Sequence, residues 1–79
     1  MYLIGIDISK FKHDCFIATE TGHVIKDSFS FNNNQDGFNH FLKILLSLDQ
    51  SQEIRIGLEA TGHYGINLKL FLHEHNFSF

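Results

Sequence analysis

Tyr2-Leu3-Ile4-Gly5-Ile6-Asp7-Ile8 is an apolar run with a single acid set inside it. It is rich in β-branched residues and is followed by the polar stretch Ser9 to Asp14, so it reads as a buried strand. Alternation puts Tyr2, Ile4, Ile6 and Ile8 on one face and Leu3, Gly5 and Asp7 on the other. The same arrangement recurs further along. Ile54, Ile56 and Leu58 alternate with Arg55, Gly57 and Glu59. Gly5-Ile6-Asp7 and Gly57-Leu58-Glu59 thus repeat a glycine-apolar-acid pattern in which the glycine precedes the acid on its own face, leaving room there for a ligand.

Asp14 to Glu20 and His23 to Phe31 form an expected antiparallel hairpin through Thr21-Gly22. Asn32 to Gly37 is a loop, with Asp36 the expected helix cap. Phe38, Phe41, Leu42, Leu45 and Leu46 follow helical spacing, and that helix should end near Leu48. After the polar link Asp49 to Gln52 comes the second acid-bearing strand. Thr61 is then the expected cap of a helix whose face is Tyr64, Leu68, Phe71, Leu72 and His75, with Asn76 ending it. Asn76 to Phe79 reads as a final strand cut short. The fold class is α/β, with element order β-β-β-α-β-α and a truncated last strand. The crossover rules are met if the fourth strand lies parallel beside the first.

That adjacency carries the chemistry. Parallel neighbours run about 4.8 Å apart, so Asp7 and Glu59 would share one space and repel each other. A hard divalent cation, Mg²⁺ or Mn²⁺, relieves the repulsion by taking carboxylate oxygens and keeping its waters. Two such ions about 4 Å apart stabilise the attacking and leaving oxygens of a phosphodiester exchange, which usually takes three or four acids. The bland alternative is that both acids merely end strands, Asp7 turning the chain and Glu59 bonding amides at a helix start.

A chain of 79 residues is one domain at most, and its 43% apolar content with nine Phe is enough for a packed core. The lone Cys15 forms no internal disulfide, points to a reducing cytoplasm and reads as a small buried hydrophobe. No apolar run is long enough to cross a membrane, and no signal peptide opens the chain. Six basic against nine acidic residues give −3, which argues mildly against a free-standing nucleic-acid binder. A carboxylate-metal nuclease tolerates that balance if its basic surface lies elsewhere. His73 and His75, two apart on a helix, point to different faces and make a poor metal pair.

Gly5-Ile6-Asp7-Ile8-Ser9-Lys10 and Gly57-Leu58-Glu59-Ala60-Thr61-Gly62-His63-Tyr64 resemble the N-terminal domain of the DEDD-type insertion-sequence transposases, relatives of the pilin-gene invertases. The Asn-rich loop before Gly37-Phe38 fits the same pattern. The resemblance implies a ribonuclease H-like (RuvC-like) mixed sheet, with residues 1–79 the incomplete N-terminal portion of the catalytic domain. It maps the first catalytic, metal-binding acid onto Asp7 and the second onto Glu59. It also implies Mg²⁺ or Mn²⁺ as cofactor, DNA as substrate, two further Asp residues and a serine from later segments, and an element-encoded guide RNA.

Lys10 and Lys12 are candidate phosphate contacts, as are Thr61, Gly62 and His63 if a helix N-terminus lies there; as alternatives they are solvated turn residues and ordinary caps. A homo-oligomer is expected through pairing of the open strand at Phe77 to Phe79. Two other readings compete. One is an actin-like or sugar-kinase ATPase lobe, although Ile8-Ser9-Lys10-Phe11-Lys12 has no glycine for a phosphate loop. The other is a noncatalytic interaction module of the same fold.

Overall fold

The computed structural model describes residues 1–60 and 62–79. Three strands come first: β1 (Tyr2–Ile8), β2 (Lys12–Thr19) and β3 (Val24–Asn32). Helix α1 (Gln35–Leu46), strand β4 (Ile54–Ala60) and helix α2 (Ile66–Glu74) follow. They form one mixed sheet of order β3-β2-β1-β4, antiparallel except for the parallel pair β1–β4. The expected parallel adjacency is therefore present.

Alternation along the strands gives the sheet two unlike faces. Ile4, Ile6, Ile8, Cys15, Ile17, Phe31 and Ile56 are buried, and so are Phe38, Phe41 and Leu45 of α1 and Leu68, Phe71 and Leu72 of α2. All belong to one core cluster. Phe31 stacks on Phe41 with ring centroids 4.4 Å apart, and Phe38 meets Phe71 at 5.4 Å, which ties each helix to the sheet or to the other helix. Leu3, Asp7, Asp14 and Phe16 are exposed on the opposite face.

Several boundaries differ from the sequence expectation. Asn34, not Asp36, caps α1: it is extended (φ −158°) and its Oδ1 accepts from the Gly37 N–H at 2.8 Å. Asp36 lies in the first turn instead, where its charge faces the positive helix end. The hairpin link spans Glu20 to His23, with Gly22 at φ +88°. In β3 the register against β2 slips between Cys15 and Ala18, and Ser28 has a left-handed φ of 32°, so this edge strand is bulged.

Helix α2 starts at Ile66 with Gly65 as its cap, later than expected, and residues 62–65 form a turn. Thr61, the expected cap, lies outside the described residues. Asn76 does end the helix, in a left-handed conformation (φ 62°). The strand expected at Phe77 to Phe79 does not form. The left-handed turn folds the chain back so that the Phe77 N–H donates to the Leu72 carbonyl at 2.9 Å, and Phe77 packs against the core rather than offering an edge.

Candidate active site

Asp7 is the penultimate residue of β1 and Glu59 the penultimate residue of β4. In the parallel ladder they are register partners, flanked by the pairs Gly5↔Gly57 and Ile6↔Leu58. Both are exposed on the face away from the helices. They stand at the carboxyl ends of parallel strands, where open α/β sheets bind their ligands.

The same face holds more acid than the sequence suggested. Asp14 of β2 is the antiparallel partner of Asp7. An open cleft of about 460 Å³ is lined by Asp7, Asp14, Asp27 and Glu59, together with Gly57 and Phe16. Asp14 was open to discovery by aligning the hairpin on the first strand. Asp27 was not, because it reaches the cleft from the bulged part of β3.

The two glycines do unlike work. Nothing but the Ile4 carbonyl, at 3.9 Å, approaches the place of a Cβ on Gly57, so space is open beside Glu59 as expected. At Gly5 a Cβ would lie 2.3 Å from the Phe16 ring. The room over Gly5 is thus taken by the aromatic side chain paired with it across the β1–β2 ladder, while the cleft beside Asp7 itself stays open.

Oxygen-only donors in an open, hydrated cleft suit a hard cation that takes one or two carboxylates and retains its waters. Among the described residues no three His, Cys, Asp or Glu side chains come together as a complete metal cage. What Asp7 and Glu59 offer is a pair of carboxylates in register on adjacent strands.

Lys10 lies in the turn after β1, with its ammonium 5.1 Å from the exposed Phe11 ring, and Lys12 opens β2. Both are exposed. Gly62 and His63 lie in the turn before α2, with His63 against the Tyr64 ring at 5.0 Å, so they precede the helix N-terminus rather than form it. Cys15 is buried on the helix-facing side, where desolvation pushes its thiol up to about 12, as befits a core residue. His13 is also fully buried; desolvation lowers its proton affinity, against smaller raising effects of Asn33 and Asp14.

A transposase family profile of the DEDD, IS110 type matches residues 4–79. The chain belongs to that transposase family. No curated protein matches it. Membership makes the mixed sheet the ribonuclease H-like fold of the DEDD transposases, makes DNA the substrate class, and sets aside the kinase-like reading. No helix among the transposase's described residues is long and apolar enough to cross a membrane.

Proposed function

We propose that this transposase segment supplies the first two carboxylates, Asp7 and Glu59, of a divalent-metal site that cleaves and transfers DNA strands. The observation that carries the reading is their pairing in register across β1 and β4. Electrostatics supports it: four acids line the cleft, and a DNA phosphate approaching it without a cation meets only repulsion. Bound Mg²⁺ or Mn²⁺ would neutralise that field and polarise the phosphodiester. Asp7 and Glu59 would hold that ion from two rigid strands, and Gly57 keeps space beside Glu59 for the backbone of the substrate.

Lys10 and Lys12, close in sequence to Asp7, take phosphate contacts that position the strand, and Gly62 and His63, close in sequence to Glu59, are further candidates. Thr61 is a candidate phosphate contact by sequence alone. Two carboxylates are half of such a site, so later acids complete it, with residues 1–79 as the first portion of the catalytic domain. The full protein takes an element-encoded guide RNA, a part of the reading that rests on the family pattern alone, and works in the cytoplasm, in keeping with the lone Cys15; a homo-oligomer keeps no support from the Phe77 to Phe79 strand, which does not form.

Crystals soaked in Mn²⁺ test the site. Anomalous density bridging Asp7 and Glu59, lost in Asp7→Asn, is the expected result. Density elsewhere, or density that survives the substitution, overturns it. The same chain alone should not cut linear or branched DNA, and metal-dependent cleavage by it would show that no further acids are needed.

A further inference from the structure

The segments that follow the two acid-bearing strands meet at one side chain. Asn33, in the link between β3 and α1, donates one amide hydrogen to the Lys10 carbonyl at 3.0 Å and the other to the Tyr64 carbonyl at 3.2 Å. Its backbone N–H donates to the Phe11 carbonyl at 2.8 Å. Lys10 and Phe11 belong to the turn after Asp7, and Tyr64 to the turn after Glu59.

The third polar group of this amide, Oδ1, has no hydrogen-bond partner of its own. His13 Nδ1 accepts from the Ser9 N–H at 3.2 Å, which places the imidazole proton on Nε2. Among the described residues, His13 Nε2 and Asn33 Oδ1 are the two buried side-chain polar atoms with no bond of ordinary length. One is a donor and the other an acceptor, and the Asn33 amide favours the protonated imidazole. Each is the complement that the other lacks.

Backbone packing joins the same segments. A Cβ on Gly65 would lie 2.7 Å from Ile8 Cδ1, so the turn before α2 seats directly on the last residue of β1. Of the side chains of this length, asparagine alone offers two donors and an acceptor. Aspartate has no donor, and glutamine is a methylene longer.

We propose that Asn33 is a positioning residue, a clasp that fixes the turn after Asp7 against the turn after Glu59 and so sets the spacing of the two carboxylates. What that spacing serves rests on the metal reading above. The clasp itself does not.

Asn33→Asp separates the possibilities. It preserves shape and the acceptor for His13, removes both donors, and sets a negative charge against two carbonyl oxygens. In ¹⁵N-resolved NMR of the chain, the amides of Ser9 to Lys12 and of Gly62 to Gly65 should shift together, while those of Glu20 to His23 stay in place. Mn²⁺ affinity, read from paramagnetic broadening, should fall about tenfold, as outer-shell changes typically cause. An added negative charge would by itself raise cation affinity, so a fall reports displaced ligands.

Ile17→Val and Leu45→Ala, core changes remote from the clasp, serve as controls for lost stability. The proposal is overturned if either turn keeps its shifts, or if the affinity falls no further than in a control of equal melting temperature. If the unsubstituted chain shows no Mn²⁺ broadening, the metal reading fails, and the joint shift of the two turns alone decides the clasp. Should Asn33→Asp not fold, Asn33→Ala yields the same two readings without the added charge.

Discussion

Asp14 faces Asp7 directly across the β1–β2 ladder, as Glu59 faces it across β1–β4. Three carboxylates therefore lie in a row over three adjacent strands, and the central one has a like charge on each side. Such directly opposed pairs destabilise a sheet, by roughly 0.2–1 kcal/mol each. We expect Asp14→Asn to stabilise the chain by an amount in that range in urea titrations at low salt. The gain should shrink in 1 M salt, where exposed charges are screened. A salt-independent gain would point to a cause other than repulsion.

The matched glycines should respond unequally. Gly57→Ala meets open space and relieves the cost of glycine in a strand, so it should stabilise by about 0.5–1 kcal/mol. Gly5→Ala drives a methyl against the far edge of the exposed Phe16 ring, which must swing aside, so the gain there should be smaller. Thermal melting of the two variants checks the difference. Gly57→Ala should also weaken Mn²⁺ binding if that open space admits ligand.

Burial keeps His13 neutral, so its folded proton affinity lies below the ordinary 6.5. The unfolded chain then binds a proton that the folded chain does not, and stability falls as pH drops below about 6.5 towards the lower folded value. The carboxyls of Glu20 and Asp49 are held down by the Met1 ammonium and by Ser51 respectively, and their ordinary values are 4.5 and 3.8. Their stabilisation is therefore lost only at more acid pH. We expect the decline between pH 6.5 and 5 to flatten in His13→Gln, measured by denaturant unfolding across that interval. An unchanged slope would show that His13 is not its source.

A thiol pushed up to about 12 and enclosed by core side chains is neither ionised nor reachable at neutral pH. Cys15 should react with a disulfide reagent at pH 8 only at the rate of unfolding. Its reaction should therefore accelerate in urea in step with the loss of structure. Rapid labelling of the native chain would contradict the burial.

The central adjacency was legible in the sequence because two independent rules agreed on it. Alternation set Asp7 and Glu59 each on the face opposite the apolar residues of its strand, and the crossover rule placed β4 beside β1. Asp14 was within reach once the expected hairpin is aligned on β1, whereas Asp27 was not, because the bulge at Ser28 is settled by turn geometry and twist, not by composition. Gly5 was misjudged for a related reason: whether a glycine leaves space depends on its cross-strand partner, here Phe16. The late start of α2 and the return of Phe77 onto Leu72 follow from local backbone conformations at Gly65 and Asn76 that helical periodicity does not encode.

The parallel pairing of β1 with β4 also sets an order in time. The first three strands join their sequence neighbours through short turns, whereas Tyr2 must find Ile54 across the whole meander and α1. Closing so long a loop costs entropy that only later contacts repay, so β4 should dock last. Pulse-labelled hydrogen exchange would then show β1–β2 amides protected before those of β4. On that sequence of events Asp7 and Glu59 become neighbours only when folding is complete, and a newly made chain passes through its early states with the two acids still apart.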